Sequence, residues 1–389
     1  MSLTSRLPNV GTNIFTIMSQ LALDHNAVNL GQGFPDFSPD PVLLELVNQA
    51  MHAGHNQYPA MAGVPALRQR IGEKIFSLYG HRYDESSEIT VTSGATEALM
   101  SSLLALVHPG DEVIVIEPFY DLYIPGIQLA GGIPVVVSMN PPSASKPSYS
   151  VDWQRVEAAI TKRTRMLVLN FPHNPTGIVL SEADLDALET LVEKHGILLL
   201  CDEVYEHITF DGRKHLSAAS RPILAEKAVV ISSFGKTYHI TGWKVGYCTA
   251  TAAIMAEIRK VHQFTVFTVS SPFQMALAQY VANPLPYTQL SAFYEKRRDY
   301  LSSNLEKTSF RPLPSEGTFF LLADYSAVSS LSELEFARWL TLEHGVTAIP
   351  VSAFYNDPKA QESNHGLIRL CFAKEDKTLD QAIERLARI

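Results

Sequence analysis

The stretch VISSFGKTYHITGWKVG, residues 230–246, starts as an apolar, β-branched run and breaks at Phe234-Gly235-Lys236-Thr237. The purpose of Lys236 decides what kind of sheet the run belongs to. As the end of a nucleotide-binding loop, Gly235-Lys236-Thr237 would need a glycine at position 230, which is Val230, so that pattern fails. Ser233-Phe234-Gly235-Lys236 also spells the S-x-x-K of serine acyl-enzymes, but the S-D-N and K-T-G partners are absent. What remains is a lysine at a strand end, with small neighbours and a second cation, Lys244, further along. A nearby ammonium attracts phosphate and lowers the pKa of the first amine.

Outward from this stretch, residues 88–250 alternate short apolar runs with helical patterns. The strand candidates are EITVT (88–92), DEVIVIE (111–117), IPVVV (133–137), RMLVLN (165–170), GILLLCD (196–202) and AVVISS (228–233). Several are apolar without alternation, as parallel strands covered on both faces are. ATEALMSSLLALV and SEADLDALETLVEKHG read as helices between them, the second opening on Ser181 and ending at Gly196. This is an α/β pattern with a mostly parallel open sheet. Residues 284–389 change character and read as a smaller α+β domain, joined by the N-terminal segment 1–40, which leaves 41–283 as the large domain.

Composition narrows the class. The 389 residues carry a formal charge of −9, with acids scattered rather than gathered. That balance gives no basic stripe for nucleic acid. Three dispersed cysteines without CxxC suit a reducing compartment and oppose a disulfide scaffold or zinc site, and the 13 histidines show no metal-ligand spacing. MSLTSRLPNVGTNIF has no signal-peptide core, and no apolar run is long enough to span a membrane. The expectation is a soluble, cytoplasmic protein without bound metal.

In an open α/β sheet the ligand lies at the carboxyl ends of the strands. After EITVT comes Ser93-Gly94-Ala95-Thr96, a turn able to aim backbone N–H groups at an anion. After DEVIVIE comes Tyr120, a face for a planar ring. After RMLVLN comes FPHNPTG with Asn174, and after GILLLC comes Asp202, followed by Tyr205. A carboxylate at the end of a buried leucine strand needs a cation, and no Lys or Arg adjoins it in sequence. Each turn alone is equally an ordinary β–α connection, and Asp202 could cap the next helix. Together, a lysine nucleophile, an aspartate for a ring nitrogen, a flat aromatic, an anion-binding turn and a second cation describe a pyridoxal-phosphate pocket.

The strings LGQGFPDF, NQYPAMAGVPALR, NFPHNPTG, CDEVYEH, SSFGKTYHITGWKVGY and LIRLCFAK resemble the fold-type I, class I/II aminotransferases. The likeness runs nearly end to end and points to the branch of methionine aminotransferases and kynurenine–glutamine (phenylpyruvate) transaminases. It implies a seven-stranded, mostly parallel sheet sandwiched by helices, plus a smaller α+β domain. It further implies that Lys236 forms the Schiff base and shuttles a proton. Asp202 pairs with the ring nitrogen, Tyr205 and Asn174 bond the phenolic oxygen, and Tyr120 stacks. Gly94, Ala95, Thr96, Ser233 and Lys244 lie at the phosphate, with Tyr58 reaching the neighbouring subunit's cofactor in a homodimer with shared sites. Arg369 takes the substrate carboxylate, helped by Asn174 and Gly33.

For the substrate side chain, VHQFTVFTVSSPFQ (261–274) offers no second arginine of the kind that dicarboxylate-specific members add. Phe15, Tyr123 and Phe267 are read as an apolar pocket for methionine, aromatic residues, glutamine or kynurenine. Thr268 falls where some kynurenine-processing relatives carry histidine. The expected partners are therefore small amino acids and 2-oxo acids, with no membrane or nucleic acid. A cysteine-conjugate or cystathionine-type β-lyase on the same scaffold, and a cofactor-binding regulator, are the alternatives.

Overall fold

The computed structural model describes residues 3–389. Seven strands form one sheet in the order Ile89–Thr92, Gly246–Thr249, Ala228–Ser233, Leu198–Asp202, Thr164–Asn170, Glu112–Glu117, Ile133–Ser138. The last five run parallel, and Gly246–Thr249 is antiparallel to both its neighbours. The apolar runs are continuous because each face of the sheet has its own core. Leu167, Leu169, Leu199, Cys201 and Val230 pack one way, under Leu185, Leu188 and Val192 of the helix Glu182–His195. Met166, Val168, Leu200, Val229 and Ile231 pack the other way, under Ala98, Leu99 and Leu103 of the helix Gly94–Leu106. Alternate residues of one strand thus serve opposite layers. Each fully buried aliphatic side chain contributes roughly 1.5–3 kcal/mol.

Gly246–Thr249 had no candidate in the sequence pattern. Residues 234–245 hold only a single helical turn, Phe234–Thr237, and a 3₁₀ turn, Thr241–Trp243. A parallel return must recross the sheet, usually on a helix, and these two short turns do not supply one, so the chain comes back antiparallel. The helix Glu182–His195 is capped as read, with Ser181 and Asp184 forming a capping box and Gly196 left-handed at φ 66°.

A second, antiparallel sheet orders Ile349–Pro350, Leu367–Cys371, Phe320–Asp324 and Arg311–Pro312. The helices Leu290–Leu305, Glu333–His344 and Asp376–Leu386 bury Leu301, Phe336 and Leu379 in its core. Val28–Asn29 pairs in parallel with Val346–Thr347, and the Cys371 N–H donates to the Leu30 carbonyl at 2.7 Å. The N-terminal helix Ile14–Asp24 packs Met18 against Ala337, Ile349 and Phe354. The expected division at 283/284 falls in the turn between the helices Ser271–Tyr280 and Leu285–Thr288. No helix among the described residues is long and apolar enough to cross a membrane.

Candidate active site

The parallel register sets Asn170 beside Asp202, and Asp202 beside Ile231, at the carboxyl edge of the sheet. A cavity of about 1000 Å³ opens there, walled by the strand ends on one side and by Phe320, Arg369 and the N-terminal helix on the other. Gly33, Gly94, Ala95, Thr96, Tyr120, Asn174, Asp202, Tyr205, Ser233, Lys236, Lys244, Arg369 and Phe15 all line it, as do Asn170 and Thr241.

One corner is built for an anion. The helix Gly94–Leu106 begins without a side-chain cap, so its first N–H groups stay open. Gly94 adopts φ +71°. Lys244, itself left-handed at φ +55°, donates to Thr96 Oγ1 at 3.2 Å. Behind the turn lies Gly246, where a Cβ would come 2.7 Å from the Ser232 carbonyl and 3.0 Å from the Ala95 nitrogen.

Asp202 is the opposite case, a buried carboxylate at the sheet's centre. It accepts from the Tyr123 hydroxyl at 2.8 Å and from the Val204 N–H at 3.4 Å, and among the described residues it makes no ion pair. Burial raises its pKa to about 6, with the Tyr123 hydrogen bond opposing. The expectation for Tyr123 is therefore corrected. It does not line the cavity but lies fully buried behind Asp202, because a buried phenol needs an acceptor and this carboxylate supplies it. Tyr120 does line the cavity, edge-on to Tyr123 at 5.8 Å.

Lys236 reaches from the turn Phe234–Thr237 and donates to the Gly33 carbonyl at 3.1 Å. Burial lowers its pKa to about 8, and Arg369 and Lys244 push it the same way against Cys371 and Asp202. At neutral pH it is thus far closer to a free amine than an exposed lysine is. Tyr205 is buried beside Phe319 and Phe320, and Lys236 Nζ lies 5.7 Å from its ring centre.

Arg369 is 1% exposed. Its Nη1 donates to Asn174 Oδ1 at 2.6 Å and its Nη2 to the Gly31 carbonyl at 3.0 Å, while Nε is buried without a partner among the described residues. The rings of Phe320, Phe354 and Phe15 lie 3.8, 4.9 and 5.2 Å from its guanidinium carbon. Burial lowers its pKa to about 10. Among the described residues it makes no ion pair, so a buried cation faces the cavity with only neutral acceptors.

Tyr58 and Phe267 do not join this wall. Tyr58 is 82% exposed and packs edge-on against the half-exposed Phe267 at 5.4 Å, with Phe264 exposed nearby in sequence. The pattern reading also missed a polar network behind the strands, in which Glu206 accepts from Lys74 at 2.7 Å and from the Tyr79 hydroxyl at 2.7 Å. It missed Ser19, Gln20 and Gln32 in the wall as well. Nothing in a local pattern marks them, because their partners are distant in the chain. Among the described residues no group of three or more His, Cys, Asp or Glu could hold a metal ion.

A mostly parallel α/β sheet with a lysine at a strand end, an open anion corner and a buried guanidinium that makes no ion pair among the described residues defines a known class. Residues 25–386 match the model of the family "Aminotransferase class I and II", and the chain belongs to that family. It is an aminotransferase. It is 51% identical to the methionine aminotransferase of Escherichia coli (strain K12) over 386 residues, covering 99% of this chain and 98% of that one. Human kynurenine–oxoglutarate transaminase 1 is 35% identical, over 98% and 97% of the two chains. The crystal structure of Escherichia coli YbdL, identified as a methionine aminotransferase, superposes with a TM-score of 0.96 at 50% identity, over all of both chains.

Proposed function

We propose that this aminotransferase uses pyridoxal phosphate, takes neutral amino acids with methionine foremost, and acts as a homodimer with shared sites. One observation carries the substrate half of this reading. Arg369 is a buried cation with no counter-charge in ion-pair contact among the described residues, across the cavity from the Lys236 amine. A substrate α-carboxylate would supply that counter-charge, with the planar guanidinium giving two parallel hydrogen bonds. Asn174 and the Gly33 backbone would orient it.

The donor set also fits the cofactor. The open helix turn at Gly94, Ala95 and Thr96, with Ser233 and Lys244, suits a phosphate. Asp202, buried with no ion pair among the described residues, suits a protonated ring nitrogen, while Tyr205 and Asn174 suit the phenolic oxygen and Tyr120 the ring face. When bound, pyridoxal phosphate supplies an electron-withdrawing ring that delocalises negative charge developing at the substrate Cα. Lys236 holds the cofactor and, as a free amine, moves the proton at the substrate Cα. Asp202 keeps the ring nitrogen protonated, and Tyr123 keeps Asp202 ionised. The Phe15, Phe320 and Phe354 rings exclude water from the Arg369 end.

Substrate class follows from what the wall lacks. Its cations among the described residues, Lys236, Lys244 and Arg369, all have tasks in this scheme, and the rest of the wall beyond Asp202 is apolar or uncharged polar, as at Phe15, Leu23, Ser19, Gln20 and Gln32. Methionine is favoured by the likeness to methionine aminotransferase. Such walls discriminate by only about 1–3 kcal/mol per methylene, so aromatic residues and glutamine should also be accepted. A panel of amino donors with a 2-oxo acid acceptor tests this. Methionine and phenylalanine should outperform aspartate by about tenfold or more in kcat/KM, since a second carboxylate finds no free cation. Aspartate as the best donor would overturn the substrate class. Pyruvate released from a cysteine thioether without any acceptor would favour a β-lyase.

A further inference from the structure

His262 lies on the helix Ala252–Thr265, is wholly buried, and takes no part in the scheme above. Its Nδ1 is 3.0 Å from Glu97 Oε1 and its Nε2 is 3.0 Å from the Met61 carbonyl oxygen. A carbonyl only accepts. Glu97 is also committed as an acceptor, since its Oε1 takes the Ser101 hydroxyl at 2.5 Å and its Oε2 takes the Ser93 N–H at 3.1 Å. With Glu97 ionised, each ring nitrogen faces an acceptor, so both carry protons. The other charge that acts on the ring is Arg259, one turn back on the same helix, bound to Thr90 Oγ1 and the Ser86 and Ile89 carbonyls. Burial and Arg259 oppose the imidazolium, but Glu97 and the Met61 carbonyl outweigh them and raise the pKa.

The two ends of this link matter. Glu97 sits in the first turn of the helix Gly94–Leu106 and pins Ser93, the residue before the anion corner. A buried carboxylate there would repel a phosphate unless neutralised. Met61 belongs to the segment that presents Tyr58. That segment hangs on side chains from 262–274: Ser271 Oγ donates to the Gln57 carbonyl at 2.5 Å, Thr268 Oγ1 to Ala60 at 3.3 Å, and the Val64 N–H to Gln274 Oε1 at 2.8 Å.

We infer that His262 is a positioning residue held as an imidazolium, which cancels the charge of Glu97 beside the phosphate-binding turn and ties that turn to the Tyr58 segment. This rests on the pyridoxal-phosphate reading. Two measurements test it. In the holoenzyme labelled with ¹⁵N-histidine, one ring, absent from His262→Gln, should keep protons on both nitrogens at a pH where the exposed histidines have lost one. A singly protonated His262 ring at that pH overturns the inference. In the second, apoenzymes are titrated with pyridoxal phosphate and with pyridoxal, followed by visible absorbance. His262→Gln should weaken pyridoxal phosphate about tenfold or more and pyridoxal much less, because an unneutralised carboxylate acts on the phosphate. Glu97→Gln/His262→Gln should recover most of that loss. A double variant no better than His262→Gln, or equal losses for both ligands, overturns it. If His262→Gln does not fold, the double variant and the wild-type spectrum still decide. Wild-type apoenzyme that binds no pyridoxal phosphate would defeat the cofactor reading itself, whereas the ring protonation would stand separately.

Discussion

Asp202 holds a charge where the fold least favours one. Its carboxyl is buried at the end of the central strand, with one phenol and one N–H as partners, and burial raises its pKa from 3.8 to about 6. The sign follows from linkage. A carboxyl whose folded pKa lies above its unfolded value stabilises the fold at low pH, and that contribution is lost as pH rises through about 6. About two pKa units correspond to about 3 kcal/mol at most. Asp202→Asn apoenzyme should therefore be more stable than wild-type apoenzyme at pH 8, by up to that amount in urea unfolding, and the advantage should vanish near pH 4. Activity should be lost all the same. A variant less stable at pH 8 would mean that Asp202 is already satisfied within the chain. At this level the sequence was legible where chemistry sits at or just beyond a strand end, as for Asp202, Lys236 and Asn174. It was not legible for Tyr123, whose residue type suits a pocket wall as well as a buried hydrogen-bond donor. Only the packing that turns its hydroxyl onto Asp202 separates the two.

Among the elements, the continuous apolar runs at 165–170, 196–202 and 228–233 announced buried parallel strands, because each residue there faces one of two cores. Ser181 and Gly196 marked their helix through capping, which is a local effect. Gly246–Thr249 escaped because four residues carry too little pattern, and its place depends on the preceding connection holding no crossing helix. That strand backs the anion corner closely. A Cβ at Gly246 would need the Ser232 carbonyl, the Ala95 nitrogen or the Gly94 carbon to move. Gly246→Ala should cost about 1–3 kcal/mol of stability, as overpacking does, and should weaken pyridoxal phosphate more than methionine binding to the holoenzyme. Titration of the apoenzyme reads the first effect on the ligand. Unchanged cofactor affinity would show that the turn tolerates displacement.

The whole molecule joins a helix-covered sheet to a smaller antiparallel one, and the cavity lies where Arg369 from the second faces Lys236 from the first. Neither residue signals the other in the sequence, nor do Glu97 and His262, since pairs of that separation meet only through the fold. Tyr58 lies outside the cavity of its own chain, exposed beside Phe264 and Phe267. We propose that this apolar face is covered by a second copy, with Tyr58 reaching the partner's phosphate site. Tyr58→Phe should then leave the dimer intact by sedimentation and weaken pyridoxal phosphate by about tenfold, the value of one hydrogen bond to a charged group. A monomer at micromolar concentration would overturn the shared site. The central proposal is that Lys236 is the amine that holds pyridoxal phosphate, and the most direct measurement is the visible spectrum of the purified protein with that cofactor. Wild-type protein should show the absorbance of lysine-bound cofactor, bleached by methionine, and Lys236→Ala should lack it. A wild-type spectrum equal to that of free pyridoxal phosphate, or one unchanged in Lys236→Ala, would contradict it.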